Sequence, residues 1–235
     1  MSPNLDTPMY PPYLASRLAG LSVGRVNRWL RGYEYSYKHR GEVYYGAKES
    51  LVERPHAHDS IYASFLDLID LIFIKRFIDR GFTVQKMRKA LFEVKELSTS
   101  HHFAQSMFWT NGAKIYVELG EASSSKELAI LELLSGGQWV IAPTIVEYAD
   151  KIDFSQDSGF AERWFPIGRN KNVVIDPDIN FGSPTIAGRG METANIYDTY
   201  LAEKKSFKRV ARWMDVTVEE VSNAVEFEEC IKQAA

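Results

Sequence analysis

The segment Tyr13-Leu-Ala-Ser-Arg-Leu-Ala-Gly-Leu-Ser-Val-Gly-Arg-Val-Asn-Arg-Trp-Leu-Arg31 constrains the fold more than any other stretch of the chain. Leu14, Ala15 and Leu18 recur at helical spacing and make one apolar stripe. Gly20 follows the stripe, where a helix can end in the left-handed conformation, and Ser22 is a good N-cap for a second helix. In that helix Val26, Trp29 and Leu30 share the inward face, leaving Gly24, Arg25, Asn27, Arg28 and Arg31 outward. Two short helices joined at Gly-Leu-Ser, the second presenting arginine and asparagine, form a helix-turn-helix pattern. The outward residue types suit nucleic acid. Arginine makes bidentate hydrogen bonds to guanine O6 and N7, asparagine pairs with adenine, and Arg31 is placed for a phosphate.

After Gly32, alternating aromatics from Tyr33 to Tyr45 flank Lys38-His39-Arg40-Gly41, which predicts a β-hairpin with a basic tip. A basic hairpin directly after a recognition helix occupies the position of a wing on the adjacent phosphate backbone. The candidate DNA-binding residues are therefore Ser22, Gly24, Arg25, Asn27, Arg28, Arg31, Lys38, His39 and Arg40. The alternative is a plain helical core with a hairpin and no DNA role.

Charge supports the first reading. The net formal charge is −3, yet Pro11 to Lys48 carries seven basic and two acidic residues. Residues 116–165 carry three basic and nine acidic residues, so the acidic excess lies elsewhere. A cationic N-terminal module on a neutral-to-acidic body implies one face for phosphates and another for a different partner.

Ser64 to Leu97 predicts two further helices. In the first, Phe65, Leu66, Leu68, Ile69, Ile72, Phe73, Phe77 and Ile78 are apolar nearly all round, so it is buried or sits in an interface; Gly81 ends it. Asp67, Asp70, Lys75 and Arg76 interrupt it too often for a bilayer span. Thr83 caps the second, with Val84, Met87, Leu91 and Val94 inward and Lys86, Arg88 and Lys89 outward. The Tyr-x-x-x-x-Leu-Ala-Gly-Leu-Ser start, the wing, the Phe-Leu-Asp-Leu-Ile helix and the Gly-Phe-Thr-Val-Gln-Lys-Met-Arg-Lys-Ala segment resemble the MerR-like winged-helix family over about residues 10–97. The effector cysteines of its metal-sensing branch are absent, since Cys230 is the one cysteine in the chain.

Between His101 and Pro166 the pattern is strand-rich, with a hairpin signal at Asn111-Gly112, a short helix opened by Ser124-Ser-Lys-Glu127, and strands at Trp139, Thr144–Tyr148 and Trp164. A strand at Val173 then leads into a turn-rich loop. Helices follow from Thr193 (Ile196, Tyr200 and Leu201 apolar) and from Ser206 (Phe207, Val210, Ala211 and Met214 inward). Thr217 and Glu220 form a capping box for the last helix, which buries Val218, Val221, Val225 and Phe227. Its predicted outer face, Glu219, Glu220, Asn223, Glu226, Glu228 and Glu229, is mostly acidic and points to a protein partner.

The loop Asp176-Pro-Asp…Phe181-Gly-Ser-Pro184…Gly188-Arg189 with its three short helices resembles the C-terminal domain of long VapB-type antitoxins, which carry a MerR-like winged helix in front and neutralise a PIN-domain ribonuclease toxin. The shared pattern covers residues 162–227. Where the family usually reads Gly-Thr-Arg-Ile-Pro-Thr, this chain has Gly188-Arg-Gly-Met-Glu-Thr193. The resemblance implies a cytoplasmic antitoxin that acts as a homodimer, binds an inverted repeat in its own operator DNA, represses its operon and holds a PIN-domain toxin. Arg189 is the matching loop residue, and an arginine there pairs either with toxin carboxylates or internally with Asp176 or Asp178.

The chemistry of other constellations is thin. His56-x-His58-Asp59 and His101-His102 lack the spacing of a metal site, Gly182 to Gly190 lacks a phosphate-loop signature, and there is no Gly-x-Ser-x-Gly elbow. Asp67 and Asp70, on an apolar helix, read as interface pairing rather than acid–base catalysis. The expectation is a non-enzyme without cofactor, metal, small-molecule substrate or membrane. Two alternatives stay open: a stand-alone MerR-like regulator with a small effector in the middle sheet, and an adaptor that does not bind DNA. The expected fold is α+β, mostly α: a loose tail over 1–9, a winged helix-turn-helix with helical extension over 10–98, a β-rich middle over 99–165, and a helix-turn-helix three-helix domain over 166–235.

Overall fold

The computed structural model describes residues 4–54, 61–79, 81–94, 102–106 and 148–233. Expectations for the Asn111-Gly112 hairpin, the Ser124 helix, the Trp139 strand and the His56, His58, Asp59 and His101 side chains fall outside these residues. Within them the chain is α+β, with seven α-helices and small antiparallel sheets. The elements are α1 (Pro12–Ala19), α2 (Val23–Arg31), β1 (Tyr33–His39), β2 (Glu42–Lys48), α3 (Phe65–Asp79) and α4 (Val84–Val94). Then come β3 (Ile152–Phe154), β4 (Ala161–Trp164), β5 (Val173–Val174), β6 (Thr185–Ile186), β7 (Met191–Glu192), α5 (Thr193–Ala202), α6 (Phe207–Met214) and α7 (Val218–Gln233).

Local chemistry accounts for the helix boundaries. Pro12 opens α1 where a missing N–H costs nothing, and Gly20 closes it in the left-handed region with φ 64°. The Ser22 hydroxyl accepts from the Arg25 N–H at 3.3 Å, capping α2. α3 is the buried axle of the molecule, with Phe65 to Ile74 all under 4 % exposed. Its two carboxylates find partners inside the chain. Asp67 pairs with Arg54 at 2.9 Å, both side chains buried, and accepts from the Ser64 N–H, while Asp70 accepts from the Phe103 N–H. Thr83 caps α4 through the Lys86 N–H, and Arg88 reaches back to the carbonyls of Glu49 and Ser50 at the end of β2.

Three expectations are corrected here. Residues 4–9 are not a loose tail: Leu5 is 1 % exposed, and the Met9 N–H donates to the Ala63 carbonyl. Tyr148, expected at the end of a strand, is helical. Trp164 ends β4 and exchanges backbone hydrogen bonds with Ile175 in both directions, so the chain is paired across the expected boundary at 165/166.

The C-terminal third holds the β5–β6–β7 sheet under the packed helices α5, α6 and α7. The Thr217–Glu220 capping box forms in both directions, Thr217 N–H to Glu220 Oε2 at 2.7 Å and Glu220 N–H to Thr217 Oγ1 at 3.1 Å. Val221, Val225 and Phe227 are buried as expected, but Val218 and Leu201 are exposed. The outer face of α7 is narrower than the sequence suggested, because Asn223 and Glu228 turn inward and Glu228 accepts from the Thr193 hydroxyl at 2.6 Å.

Candidate nucleic-acid interface

α2 lies against α1 and α3 through Val26, Trp29 and Leu30, all at or below 6 % exposure. Burying that stripe fixes the opposite side of α2 in solvent, where Gly24, Arg25, Arg28 and Arg31 are exposed and Asn27 is half-buried. The Arg25 and Arg31 guanidiniums make no hydrogen bond or ion pair among the described residues. Arg28 is held: its Nε donates to the Gly24 carbonyl at 3.1 Å, and its guanidinium lies 5.8 Å from the centre of the Tyr33 ring. Asn27 Oδ1 is buried and unpaired. Ser22 is spent on its cap and is exposed beside the first turn.

Gly32 turns the chain from α2 into β1. Its φ is 77°, and a Cβ there would sit 2.3 Å from the Lys48 carbonyl oxygen, so only glycine allows the hairpin to leave the helix this tightly. β1 and β2 pair antiparallel from Tyr33↔Lys48 to His39↔Glu42, leaving Arg40 and Gly41, both at positive φ, as the turn. Every residue of the two strands except Gly46 is exposed, so the hairpin stands free of the core. One face carries a tyrosine ladder: Tyr33, Tyr35, Tyr37 and Tyr44 follow one another at ring separations of 6.1, 6.4 and 5.4 Å. His39 meets Tyr44 edge-on at the end of the ladder. Stacking gives a two-stranded ribbon the rigidity it lacks alone.

The structure gathers six of the nine predicted residues into two groups. Asn27, Arg28 and Arg31 line a cleft of about 370 Å³ with Tyr33, Glu34 and Lys48, between α2 and the hairpin base. Lys38, His39 and Arg40 sit at the far end, about 20 Å away at the rise of a strand. Lys48 belongs to the cleft and was missed from the sequence because it lies at the base of the hairpin, far along the chain from the basic tip.

Arg189 stands elsewhere. Its Nε donates to Glu220 Oε1 at 2.7 Å and its Nη1 to the Asp215 carbonyl at 3.1 Å, so its carboxylate partner is neither Asp176 nor Asp178. Half-exposed, it ties the 176–190 loop to the turn between α6 and α7. Sequence reasoning also missed a second cationic surface: Lys204, Lys205, Lys208, Arg209 and Arg212 are exposed around α6, beside Trp213 at 75 % exposure. The spacing Lys-Lys-x-x-Lys-Arg-x-x-Arg-Trp is legible in the chain, but the negative net charge of residues 166–235 conceals it.

No described helix is long and apolar enough to cross a membrane, and among the described residues no group of three or more His, Cys, Asp or Glu side chains is placed to hold a metal ion.

Comparison with known proteins gives three findings. Residues 173–227 match the family described as "Protein of unknown function (DUF433)". Over 227 residues, covering 94% of this chain and 94% of the relative, the sequence is 24% identical to "Putative antitoxin VapB45" of Mycobacterium tuberculosis. The fold matches the crystal structure of Rv2018 from Mycobacterium tuberculosis with a TM-score of 0.66 at 22% identity, over 94% of this chain and 99% of that one.

Proposed function

We propose that this chain is the antitoxin of a toxin–antitoxin pair. The observation that carries this reading is the end-to-end similarity to a protein named as an antitoxin, which spans the N-terminal helices, the hairpin and the C-terminal helices alike. In this reading α1, α2 and the hairpin act as a winged helix-turn-helix that holds operator DNA. Arg25 and Arg28 reach base edges, while Arg31, Lys38, His39 and Arg40 neutralise phosphates. A homodimer places two α2 helices in successive major grooves, roughly 34 Å apart, and represses the operon. The remaining surfaces hold a PIN-domain ribonuclease toxin and block its acidic site, so this chain performs no catalysis itself. Free guanidiniums on a helix beside a rigid, basic-tipped hairpin support the DNA-binding half.

The test is pull-down of tagged protein from its native cell, washed at high salt, with mass spectrometry of what is retained. High salt strips phosphate-driven contacts and leaves a packed protein interface. A stoichiometric small ribonuclease, whose toxicity co-expression of this chain relieves, is the expected result. Retention of no protein, with promoter DNA still bound at low salt, overturns the antitoxin reading in favour of a plain regulator.

A further inference from the structure

A second cleft is lined by residues of α1, α3 and α7. Its volume is about 350 Å³, within the range in which proteins hold small molecules. The two ends of the chain build its walls, the last turn of α1 and the middle of α3 on one side, and α7 with the segment after β4 on the other. Leu18, Ile72, Ile167, Phe227 and Ile231 make the lining largely apolar.

The charged groups around it are one-sided. Among the described residues Arg17, Lys75 and Arg76 line the cleft, and no carboxylate does. Lys75 is satisfied by Asp79 at 2.6 Å. Arg17 makes no side-chain hydrogen bond or ion pair among the described residues. Among the described residues Arg76 has only aromatic company: its guanidinium lies 4.5 Å from the centre of the Tyr148 ring, with one long hydrogen bond of 3.4 Å to the Tyr148 hydroxyl. Behind Tyr148, Trp164 is buried, with its indole N–H directed at the Tyr148 hydroxyl. Two guanidiniums without carboxylate partners among the described residues, lining one cleft with apolar side chains, form an arrangement that an anion completes.

We propose that this cleft binds a small organic carboxylate, its head on Arg17 and Arg76 and its apolar body against Leu18, Ile72 and Phe227. An apolar floor discriminates against a bare anion, and the guanidiniums discriminate against a neutral molecule of the same shape. The ligand touches α1 and α7 together and therefore holds the N-terminal helices to the C-terminal ones. The inference stands on the geometry of the cleft and is independent of the antitoxin reading.

Cys230 supplies the readout. It is exposed, lines the cleft and is the one cysteine of the chain, so its alkylation by neutral iodoacetamide reports on this site alone. The full-length protein is alkylated in the presence of benzoate, 4-phenylbutyrate, benzyl alcohol or inorganic phosphate. Saturable protection by one of the two carboxylates at millimolar concentration is expected, with benzyl alcohol and phosphate at least about tenfold weaker, or ~1.4 kcal/mol. Arg17→Gln raises the half-protecting concentration by a similar factor, and Arg17→Lys restores most of it. A circular-dichroism melt at the wild-type temperature confirms that each variant is folded. Equal protection by benzyl alcohol or by phosphate overturns the proposal, as does an unchanged half-protecting concentration in folded Arg17→Gln. Absence of saturable protection by either carboxylate overturns it as well.

Discussion

The Tyr10 hydroxyl donates a hydrogen bond to the carbonyl oxygen of Gly182 at 3.1 Å, across 172 positions of sequence. Beside it the Asn4 amide donates to Asp178 at 2.8 Å, and the Asp178 N–H donates to Asp176. The start of the chain is thus docked on the loop between β5 and β6. Burial pushes the Tyr10 hydroxyl far above its ordinary pKa, with the charge of Asp176 adding to it. Burial likewise pushes the Asp176 carboxyl up, against the Asp178 N–H that stabilises its anion.

This docking predicts a specific pair of stability losses. Tyr10→Phe leaves the Gly182 carbonyl buried without its donor and costs about 1–3 kcal/mol. Gly182→Ala costs more, because φ is +72° and the added Cβ would lie 2.1 Å from the Tyr10 hydroxyl oxygen. The double variant loses less than the sum, since removing the hydroxyl relieves the clash. Urea unfolding of the three variants checks this, and strict additivity would show that the two residues do not meet.

Glu220 carries a pH dependence whose sign follows from its contacts. Partial burial raises its pKa, but the Thr217 N–H, the hydrogen bonds to Arg189 and Thr217 and the Arg189 charge together bring it below the ordinary 4.5. A depressed folded pKa stabilises the protein above the unfolded value, and the contribution is lost as pH falls through the folded value. The stability gap between wild type and Glu220→Gln is therefore constant above pH 4.5 and closes in more acidic solution. Denaturant titrations along a pH series measure it; a gap that persists undiminished in acid contradicts the assignment.

Legibility from the sequence followed the range of the interactions. The Gly20 cap, the Ser22 cap, the Thr217–Glu220 box and the basic tip of the hairpin depend on residues within a few positions of one another, and each formed as expected. The burial of Glu228 depends on Thr193, 35 positions away, and that of Leu5 on elements far along the chain, so neither leaves a periodic trace. Arg189 illustrates the same limit among the predicted site residues. The loop around it offered two nearby aspartates, but folding brings Glu220 to it from 31 positions away.

Asp67 predicts the cost of breaking a buried ion pair. Asp67→Ala takes the carboxylate away from Arg54, whose side chain is 7 % exposed and keeps the Tyr62 carbonyl, and removes the acceptor of the Ser64 N–H at the start of α3. The expected loss is about 3–5 kcal/mol. Arg54→Leu combined with Asp67→Asn removes both charges and keeps a side-chain acceptor, so it should unfold closer to wild type. If the double variant is the less stable of the two, the ion pair contributes net stability beyond its own desolvation.

The proposed interface makes the last prediction, because α2 and the hairpin tip do different work on DNA. Arg28 is preset by the Gly24 carbonyl and the Tyr33 ring, so little freedom is lost when it engages a base. Arg28→Ala should weaken specific operator binding by about 1–3 kcal/mol and relax sequence preference at one position. Lys38 and Arg40 lie at the exposed end of a free-standing ribbon and meet only phosphate in this reading. Substituting either by alanine should weaken all sequences alike and lower the salt slope of binding by about one. Fluorescence anisotropy across a salt series, with operator and scrambled duplexes, separates the two effects. Equal losses on both duplexes for Arg28→Ala would move α2 out of the base-reading role, whereas an unchanged salt slope for Arg40→Ala would take the hairpin tip off the DNA.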